Sequence, residues 1–381
     1  MLISRRNFLR TISTGAAAGA AMPVTRIWPA HVLEPTGPIV PRGPVRLNEN
    51  ENVYGPCKKA LAAMHSAVST ANRYPNADYA ELTGSIASFH GVKPEQVLLG
   101  CGSTEILRVA AVAFLRRGKQ LVQASPTFEA IGRYAKAAGA EVVSVPLDRS
   151  FAHDLNEMLA RVDATTSLVY ICNPNNPTAS LTPRKDLESF IANLHPSCYV
   201  LIDEAYHHYA GQSSMYASFV DRPTNAEKVI VCRTFSEIYA LAGLRLGYCI
   251  AAPAVIEQMR PHITLNSVNG VVVRAATAAL EDTESVRNFV KQNTDARQEF
   301  LNQAQARMLR FIDSHANFVM LNTQHRAGEV IEYFRKENIL LGSPVPAIDT
   351  YIRVSLGAAN EMRAFWRTWD RSPFARAPMH H

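Results

Sequence analysis

The sequence predicts an α/β protein with a large domain on a mostly parallel, seven-stranded sheet and a smaller α+β C-terminal domain. Short apolar runs alternate with helical patterns from about residue 75 onward. This alternation is typical of parallel sheets covered by helices on both faces. Several apolar runs end in polar clusters, and the pattern changes after about residue 265. We therefore expect one large sheet with a site at its edge, followed by a different domain.

The strand candidates are short, apolar and rich in β-branched or aromatic residues, as buried strands are. They are Val97–Leu99, Gln120–Gln123, Glu141–Val145, Leu168–Cys172, Tyr199–Ile202, Lys228–Cys232 and Gly247–Ala251. Helical patterns cover Glu105–Leu115, Phe128–Ala138 and Asp186–Leu194. The C-terminal part has helical patterns at Ser285–Leu309 and Gly328–Lys336 and strand candidates at Ala316–Leu321 and Tyr351–Leu356. These patterns predict a linker and arm over 31–72, a large domain over 73–265 and a small domain over 266–381.

The composition excludes several classes of protein. Of 381 residues, 47% are apolar and 19% are charged, so the chain is neither disordered nor a coiled coil. The net charge of +6 is concentrated at the front, where residues 1–46 contain six arginines and one glutamate. The remainder is close to neutral, so no basic surface is predicted and a nucleic-acid partner is not expected.

Residues 1–30 are typical of an export signal. Arg5 and Arg6 are followed by Phe8 and Leu9 and then by a run of Ala, Gly and Thr that reaches Ala21. A basic head, a short apolar stretch and small residues form a secretory signal, and the paired arginines resemble the twin-arginine type. The sequence thus predicts a periplasmic or otherwise exported protein that uses the twin-arginine export machinery, a route that carries folded proteins.

Polar clusters follow three of the strand candidates, at 173–178, 203–206 and 233–237. In an open α/β sheet, ligands bind at the carboxyl ends of the strands. A fourth cluster, 100–105, joins a strand to a helix, and a helix N-terminus there suits a phosphate group. Each cluster alone is equally typical of a turn or a helix cap; together they predict one site.

No metal site is predicted. The adjacent His207 and His208 point in different directions and have no evident third ligand. Cys172, Cys232 and Cys249 lie inside apolar runs and are interpreted as buried thiols, whereas a disulfide would more plausibly involve Cys57 or Cys198.

These segments, in this order, resemble the pyridoxal-phosphate (PLP) enzymes of fold type I, and most closely the histidinol-phosphate aminotransferase family. The resemblance covers about residues 47–357. The segments are LNENENVYGP (47–56), RYPNADYAEL (73–82), LLGCGSTEIL (98–107), SPTFEAIGRYAKAAGAEV (125–142), NPNNPT (173–178), LIDEAYHHY (201–209), RTFSEIYALAGLRLGY (233–248), HANFVML (315–321) and IRVSLG (352–357).

The resemblance implies a role for each matching residue. Ser103, Thr104, Ser236 and Arg245 would hold the cofactor phosphate, and Phe128 would stack on the pyridine ring. Asp203 would pair with the ring nitrogen, and Asn176 and Tyr206 would bond the ring hydroxyl. Arg353 and Asn52 would bind an amino- or keto-acid substrate. Tyr54, also substrate-binding, and Tyr74, on the cofactor, would come from a second subunit, so the resemblance implies a homodimer.

One position departs from the family. The family has Lys after the Ser of its Thr-Phe-Ser motif, and this chain has Glu237. That lysine holds the cofactor as a Schiff base and then moves a proton. Glutamate cannot form the covalent bond, although a carboxylate can act as a base or pair with the amine form, pyridoxamine phosphate (PMP). We therefore expect PLP or PMP to bind non-covalently, with Glu237 and Tyr206 as candidate catalytic residues.

The function predicted from the sequence is an exported aminotransferase-like protein with altered chemistry. The alternative is a non-catalytic protein that binds the cofactor or an amino acid. The family also has a Val-Arg pair whose arginine binds the substrate phosphate, where this chain has residues 340–343, Leu-Leu-Gly-Ser. Histidinol phosphate is therefore not the expected substrate.

Overall fold

The computed structural model describes residues 43–220 and 227–375. The predicted export signal lies outside these residues. The strands are β1 (Val45–Leu47), β2 (Val97–Gly100), β3 (Gln120–Ser125), β4 (Glu141–Pro146), β5 (Thr166–Cys172), β6 (Tyr199–Asp203), β7 (Val229–Thr234), β8 (Gly247–Ile250), β9 (Arg310–Phe311), β10 (Phe318–Asn322), β11 (Ile339–Leu341) and β12 (Tyr351–Ser355).

Helices alternate with these strands along the chain. They are α1 (Lys58–Val68), α2 (Asn76–His90), α3 (Ser103–Phe114), α4 (Ala130–Ala137), α5 (Leu155–Ala160), α6 (Arg184–Ala192), α7 (His207–Ala210), α8 (Pro253–Met259), α9 (Gly270–Leu280), α10 (Thr283–Ala306), α11 (Ala327–Lys336) and α12 (Ala359–Arg371). Side chains of Asp154, Asn269 and Asp282 cap α5, α9 and α10 by accepting a hydrogen bond from the first turn. None of the helices in these ranges is both long and apolar enough to cross a membrane.

The large sheet has the strand order β2-β8-β7-β6-β5-β3-β4. Strand β8 is antiparallel to both of its neighbours, and the other adjacent pairs are parallel. These are the seven strands predicted from the apolar runs, and no end differs from its predicted position by more than two residues. The predicted fold class, an α/β protein with a mostly parallel seven-stranded sheet and a smaller C-terminal region, is confirmed.

Both faces of this sheet are buried, because successive residues of a strand point to opposite sides. In β5, Val169 and Ile171 belong to the hydrophobic cluster on one face, while Leu168 and Tyr170 belong to the cluster on the other. Helices α2 and α9 contribute to the first cluster, and α3, α4 and α8 contribute to the second. Burial on both faces explains why the central strands β5 and β6 are apolar along most of their length, whereas the edge strand β4 is partly exposed.

The C-terminal part has its own hydrophobic cluster, built around Phe300, Phe334, Phe365 and Trp369. An antiparallel sheet in the order β12-β10-β9 lies against it. The short strand β1 pairs in parallel with β11, Val45 opposite Ile339. The segment just after β1, residues 48–51, is thereby held against the C-terminal part, which matters for the site.

Candidate active site

The carboxyl ends of β5, β6 and β7 meet at one edge of the large sheet. Asp203, at the end of β6, pairs with Cys172 of β5 on one side and with Cys232 of β7 on the other. The polar clusters that follow these strands therefore converge. A cavity of about 690 Å³ lies there and is lined by ten of the predicted residues: Ser103, Thr104, Phe128, Asn176, Asp203, Tyr206, Ser236, Glu237, Arg245 and Arg353.

One end of the cavity is suited to an anion. Helix α3 begins at Ser103, and the N–H groups of its first turn have no acceptor within the helix. A β-carbon on Gly102 would lie 2.2 Å from Arg245 Nη2, so the guanidinium lies directly beside this turn. Arg245 Nη1 also donates to Ser236 Oγ at 3.4 Å. A helix N-terminus, an arginine and a hydroxyl thus surround one place where a phosphate would fit.

This anion-binding turn depends on a close backbone contact. A β-carbon on Gly247 would lie 2.2 Å from Ser103 N and 2.6 Å from Gly102 C, and neither backbone atom can rotate away. We predict that Gly247→Ala lowers the free energy of unfolding by about 1–3 kcal/mol, the usual cost of overpacking, and weakens binding of inorganic phosphate. Denaturant titration and phosphate titration measure these effects. Gly243→Ala is the control, since a β-carbon there meets nothing within 4 Å; equal stability of the two variants would contradict the prediction.

Asp203 is buried in the middle of the cavity wall, with 3% of its surface exposed. The Tyr170 hydroxyl donates to Asp203 Oδ2 at 3.0 Å, and the Ala205 N–H donates to Oδ1 at 3.1 Å. Burial nevertheless raises the pKa of Asp203 to about 6, because these bonds offset only part of the lost hydration. A positively charged N–H group placed beside this carboxyl would favour its ionised form.

Arg353 and Tyr206 belong to one hydrogen-bonded chain. Arg353 Nη1 donates to Asn176 Oδ1 at 2.8 Å, and Asn176 Nδ2 donates to the Tyr206 hydroxyl at 3.2 Å. Arg353 Nη2 donates to the Asn48 carbonyl at 2.7 Å. These partners are neutral, so the charge of Arg353 is not balanced by a bonded carboxylate, and the residue can take a ligand carboxylate.

Glu237 lies in the same cavity, in the turn after β7; part of the residue's surface faces the cavity, while the surrounding protein removes its carboxyl from bulk water. Burial, and then the nearby charge of Asp203, raise the pKa of Glu237 to about 8, although Arg353 and a hydrogen bond from Asn317 act in the opposite direction. The raised pKa favours the protonated form of the carboxyl near neutral pH in the absence of a cationic ligand. No lysine is among the described residues that line this cavity.

A second chamber of about 710 Å³ adjoins the first and shares five lining residues with it: Glu49, Thr104, Phe128, Asn176 and Arg353. Much of its remaining wall is apolar: Pro126, Ala130, Tyr134, Pro177, Pro344, Val345 and Pro346. Among the described residues that line the chamber, the one arginine besides Arg353 is Arg133, which forms an ion pair with Glu129. The chamber thus offers room for a substrate side chain next to Arg353 but no second unpaired arginine for a phosphate.

Three predicted residues do not line the cavity of the single chain. Asn52 Nδ2 donates to the Ile238 carbonyl at 2.9 Å, Tyr54 stacks on Phe289, and Tyr74 is 78% exposed. The assignment of Tyr54 and Tyr74 to the site of a second subunit stays a prediction. Several residues at the site were not predicted from the sequence. Among them, Asn48 and Asn50 line the cavity, and Tyr170 and Asn317 donate hydrogen bonds to residues that line it.

Comparison with known proteins agrees with this geometry. The family model for aminotransferase class I and II matches residues 42–366. The chain is similar to a histidinol-phosphate aminotransferase of Moorella thermoacetica, with 32% identity over 85% of this chain and 84% of the relative. A histidinol-phosphate aminotransferase of Methylobacillus flagellatus is 36% identical over 84% and 86% of the two chains.

Solved structures share the fold. The structure of a protein from Erwinia carotovora atroseptica has a TM-score of 0.83 and 32% identity, covering 87% of this chain and 97% of that one. A histidinol-phosphate aminotransferase from Sinorhizobium meliloti, solved with pyridoxal-5'-phosphate, has a TM-score of 0.80 and 24% identity, covering 85% and 89%. The resemblance found in the sequence is thereby confirmed at the level of the family: the chain belongs to the class I and II aminotransferases and is a relative of the histidinol-phosphate aminotransferases.

Proposed function

We propose that this protein binds PLP or PMP without a covalent link and transfers an amino group between amino and keto acids by chemistry that does not use a lysine. The observation that carries the proposal is Glu237. A carboxyl group stands where the family has its Schiff-base lysine, and the phosphate and ring contacts implied by the family surround it in one cavity. Cofactor binding has been kept while the covalent anchor has not.

The residues present fit such a cofactor. The α3 N-terminus, Ser236 and Arg245 would bind its phosphate. Gly102 and Gly247 have no side chains, and a β-carbon at either position would collide with Arg245 or with the backbone of this turn. Asp203 would pair with the ring nitrogen, and Phe128 would lie on the ring. Asn176 and Tyr206 would face the ring hydroxyl. When bound, the cofactor supplies an electron sink that stabilises negative charge at the substrate carbon.

Glu237 would serve this reaction in one of two ways. As a carboxylate it pairs with an ammonium group and so favours the amine form of the cofactor. As a group whose pKa is raised to about 8, it can also accept and return a proton near neutral pH, where a general base is most effective. Both roles place its carboxyl beside the reacting carbon and nitrogen atoms.

Arg353 would hold the substrate carboxylate, and the adjoining chamber would take the substrate side chain. Because the chamber offers no second unpaired arginine, we propose an amino or keto acid without a phosphate group. A second candidate function is a non-catalytic binding protein for the cofactor or an amino acid, which the lack of a lysine among the described lining residues favours.

Two further properties belong to the proposal. The twin-arginine pattern of residues 1–30 supports export to the periplasm or an equivalent compartment with the cofactor already bound. A homodimer is supported by exposed aromatic side chains, since Tyr74 is 78% and Tyr54 is 44% exposed in the single chain. In such a dimer, Tyr54 and Tyr74 of each subunit would reach the cavity of the other subunit, as the family resemblance implies.

We predict that PLP and PMP bind to the purified protein and are removed by gel filtration in phosphate buffer. Borohydride, which fixes a lysine-bound cofactor permanently, should leave the mass of the PLP-loaded protein unchanged in mass spectrometry. A stable adduct on any lysine would contradict non-covalent binding. Turnover of an amino and keto acid pair by the same preparation decides between the enzyme and the binding protein.

A further inference from the structure

The direction of the Tyr206 O–H bond is controlled by two amide groups. Asn50 Nδ2 and Asn176 Nδ2 donate to the Tyr206 oxygen at 3.1 and 3.2 Å. The orientation of the Asn176 amide is set by Arg353, which can only donate and does so to Asn176 Oδ1 at 2.8 Å. The Asn176 amide nitrogen is therefore the group that faces Tyr206.

Asn50 is itself held on all sides and is only 3% exposed. Its N–H donates to Ser355 Oγ at 2.8 Å, and the Ser355 hydroxyl donates to Asn50 Oδ1 at 3.1 Å. Its carbonyl accepts from Asn317 Nδ2 at 2.6 Å. Its backbone is left-handed, with φ of 57°, a conformation that asparagine tolerates better than most residues. With Oδ1 occupied by Ser355, the amide nitrogen is left to point at Tyr206.

Because both amides donate to the Tyr206 oxygen, the hydroxyl proton of Tyr206 is free to be donated to a ligand. The two amides occupy the acceptor positions of the phenolic oxygen, so its O–H must find an acceptor in the cavity that Tyr206 lines. We propose that Asn50 is a positioning residue that makes Tyr206 a hydrogen-bond donor towards the cavity. The group it selects is an anionic or carbonyl-like oxygen such as the ring hydroxyl oxygen of PLP. This inference rests on the proposed function, because that function supplies the ring oxygen.

The same network connects the two ligand-binding ends of the cavity. Ser355 and Arg353 lie on the same face of β12, two residues apart, and both reach Tyr206 through an asparagine. Asn50 thus links Tyr206 to the strand that carries the expected carboxylate-binding arginine. The four hydrogen bonds of Asn50 join it to three residues, Tyr206, Asn317 and Ser355, and each of these lies more than 150 positions away in sequence.

The test replaces Asn50 with aspartate, which keeps the shape and the acceptor for Ser355 but cannot donate to Tyr206. The carboxylate should draw the Tyr206 O–H towards itself. We expect Asn50→Asp to weaken PLP binding about tenfold, the lower range for a bond to a charged oxygen, and to change binding of the 3-deoxy analogue by no more than about twofold. Absorbance titration of the cofactor-free protein with PLP and with the 3-deoxy analogue measures both dissociation constants.

Controls separate this role from added charge or poor folding. In a Tyr206→Phe background, Asn50→Asp should have no further effect on PLP binding, because the hydroxyl it acts on is gone. If Asn50→Asp does not fold, Asn50→Gly keeps the left-handed backbone and removes both side-chain bonds. An equal penalty for PLP and the 3-deoxy analogue, or an equal penalty in both backgrounds, would overturn the inference. Failure of the unmodified chain to bind PLP or PMP would overturn the proposed function as well.

Discussion

Replacing Glu237 with lysine is expected to convert non-covalent cofactor binding into covalent binding. The surrounding contacts are present: the α3 N-terminus and Arg245 at the phosphate end, Asp203 in the wall and Tyr206 beside it. A lysine amine at this position would meet the PLP aldehyde, and Arg353 nearby would favour its uncharged, nucleophilic form. Before reduction, the protein should keep its yellow colour through gel filtration. Treatment with borohydride should then add the mass of the reduced cofactor to residue 237.

The matched control for this prediction is Glu237→Met, which removes the carboxyl without supplying an amine. It should bind PLP reversibly and give no borohydride adduct. If Glu237→Lys also gave no adduct while PLP still bound, position 237 would not face the cofactor aldehyde, and the proposed arrangement of the cavity would be wrong. If Glu237→Lys gained ordinary transamination, the loss of the lysine alone would account for the altered chemistry.

The fold could be predicted from the sequence where local patterns are strong. Each of the seven strands of the large sheet contains a short apolar run, which is a local property, and each was found. Helices α1, α2, α9 and α12 were not predicted. In α9 the sequence GVVVRAATAAL is apolar or small except at Arg274 and Thr277, so its polar side is narrow. Strands β1 and β11 have three residues each, too few for any period, and only their pairing defines them.

The same distinction holds for the site. Residues in contiguous motifs, such as Asp203 and Arg245, could be placed because the family resemblance carries them. Asn50 and Asn317 also lie in matching segments, but the resemblance gave them no role, because what they do depends on contacts between residues separated by more than 150 positions. Tyr170 was seen only as part of an apolar strand, and its bond to Asp203 needs two adjacent strands in register. The protonation of Glu237 likewise depends on tertiary burial.

Replacing Glu237 with glutamine tests whether the carboxyl has a chemical role. The pH dependence of stability shows in which direction the substitution should act. The ordinary pKa of the carboxyl is 4.5 and the folded-state pKa is raised to about 8. Between these values the folded chain holds a proton that the unfolded chain has lost, so the stability of the ligand-free protein should fall as pH rises from 5 to 8. The Gln variant lacks this decline, and its stability relative to the parent should rise over the same range.

The Glu237→Gln substitution should have a larger effect on PMP binding than on stability. The PMP ammonium placed beside Glu237 favours the carboxylate, so PMP binding at pH 7 should release a proton, while PLP, which has no ammonium, should not release it from this group. Calorimetry in two buffers of different ionisation enthalpy measures the difference between the cofactors, and any contribution from Asp203 is common to both. Glu237→Gln should abolish the difference and weaken PMP relative to PLP by about tenfold, as expected for the loss of a charge-assisted bond. A Gln variant that matched the parent in both cofactor affinities, in proton release and in turnover would show that the carboxyl of Glu237 has no role in binding or catalysis.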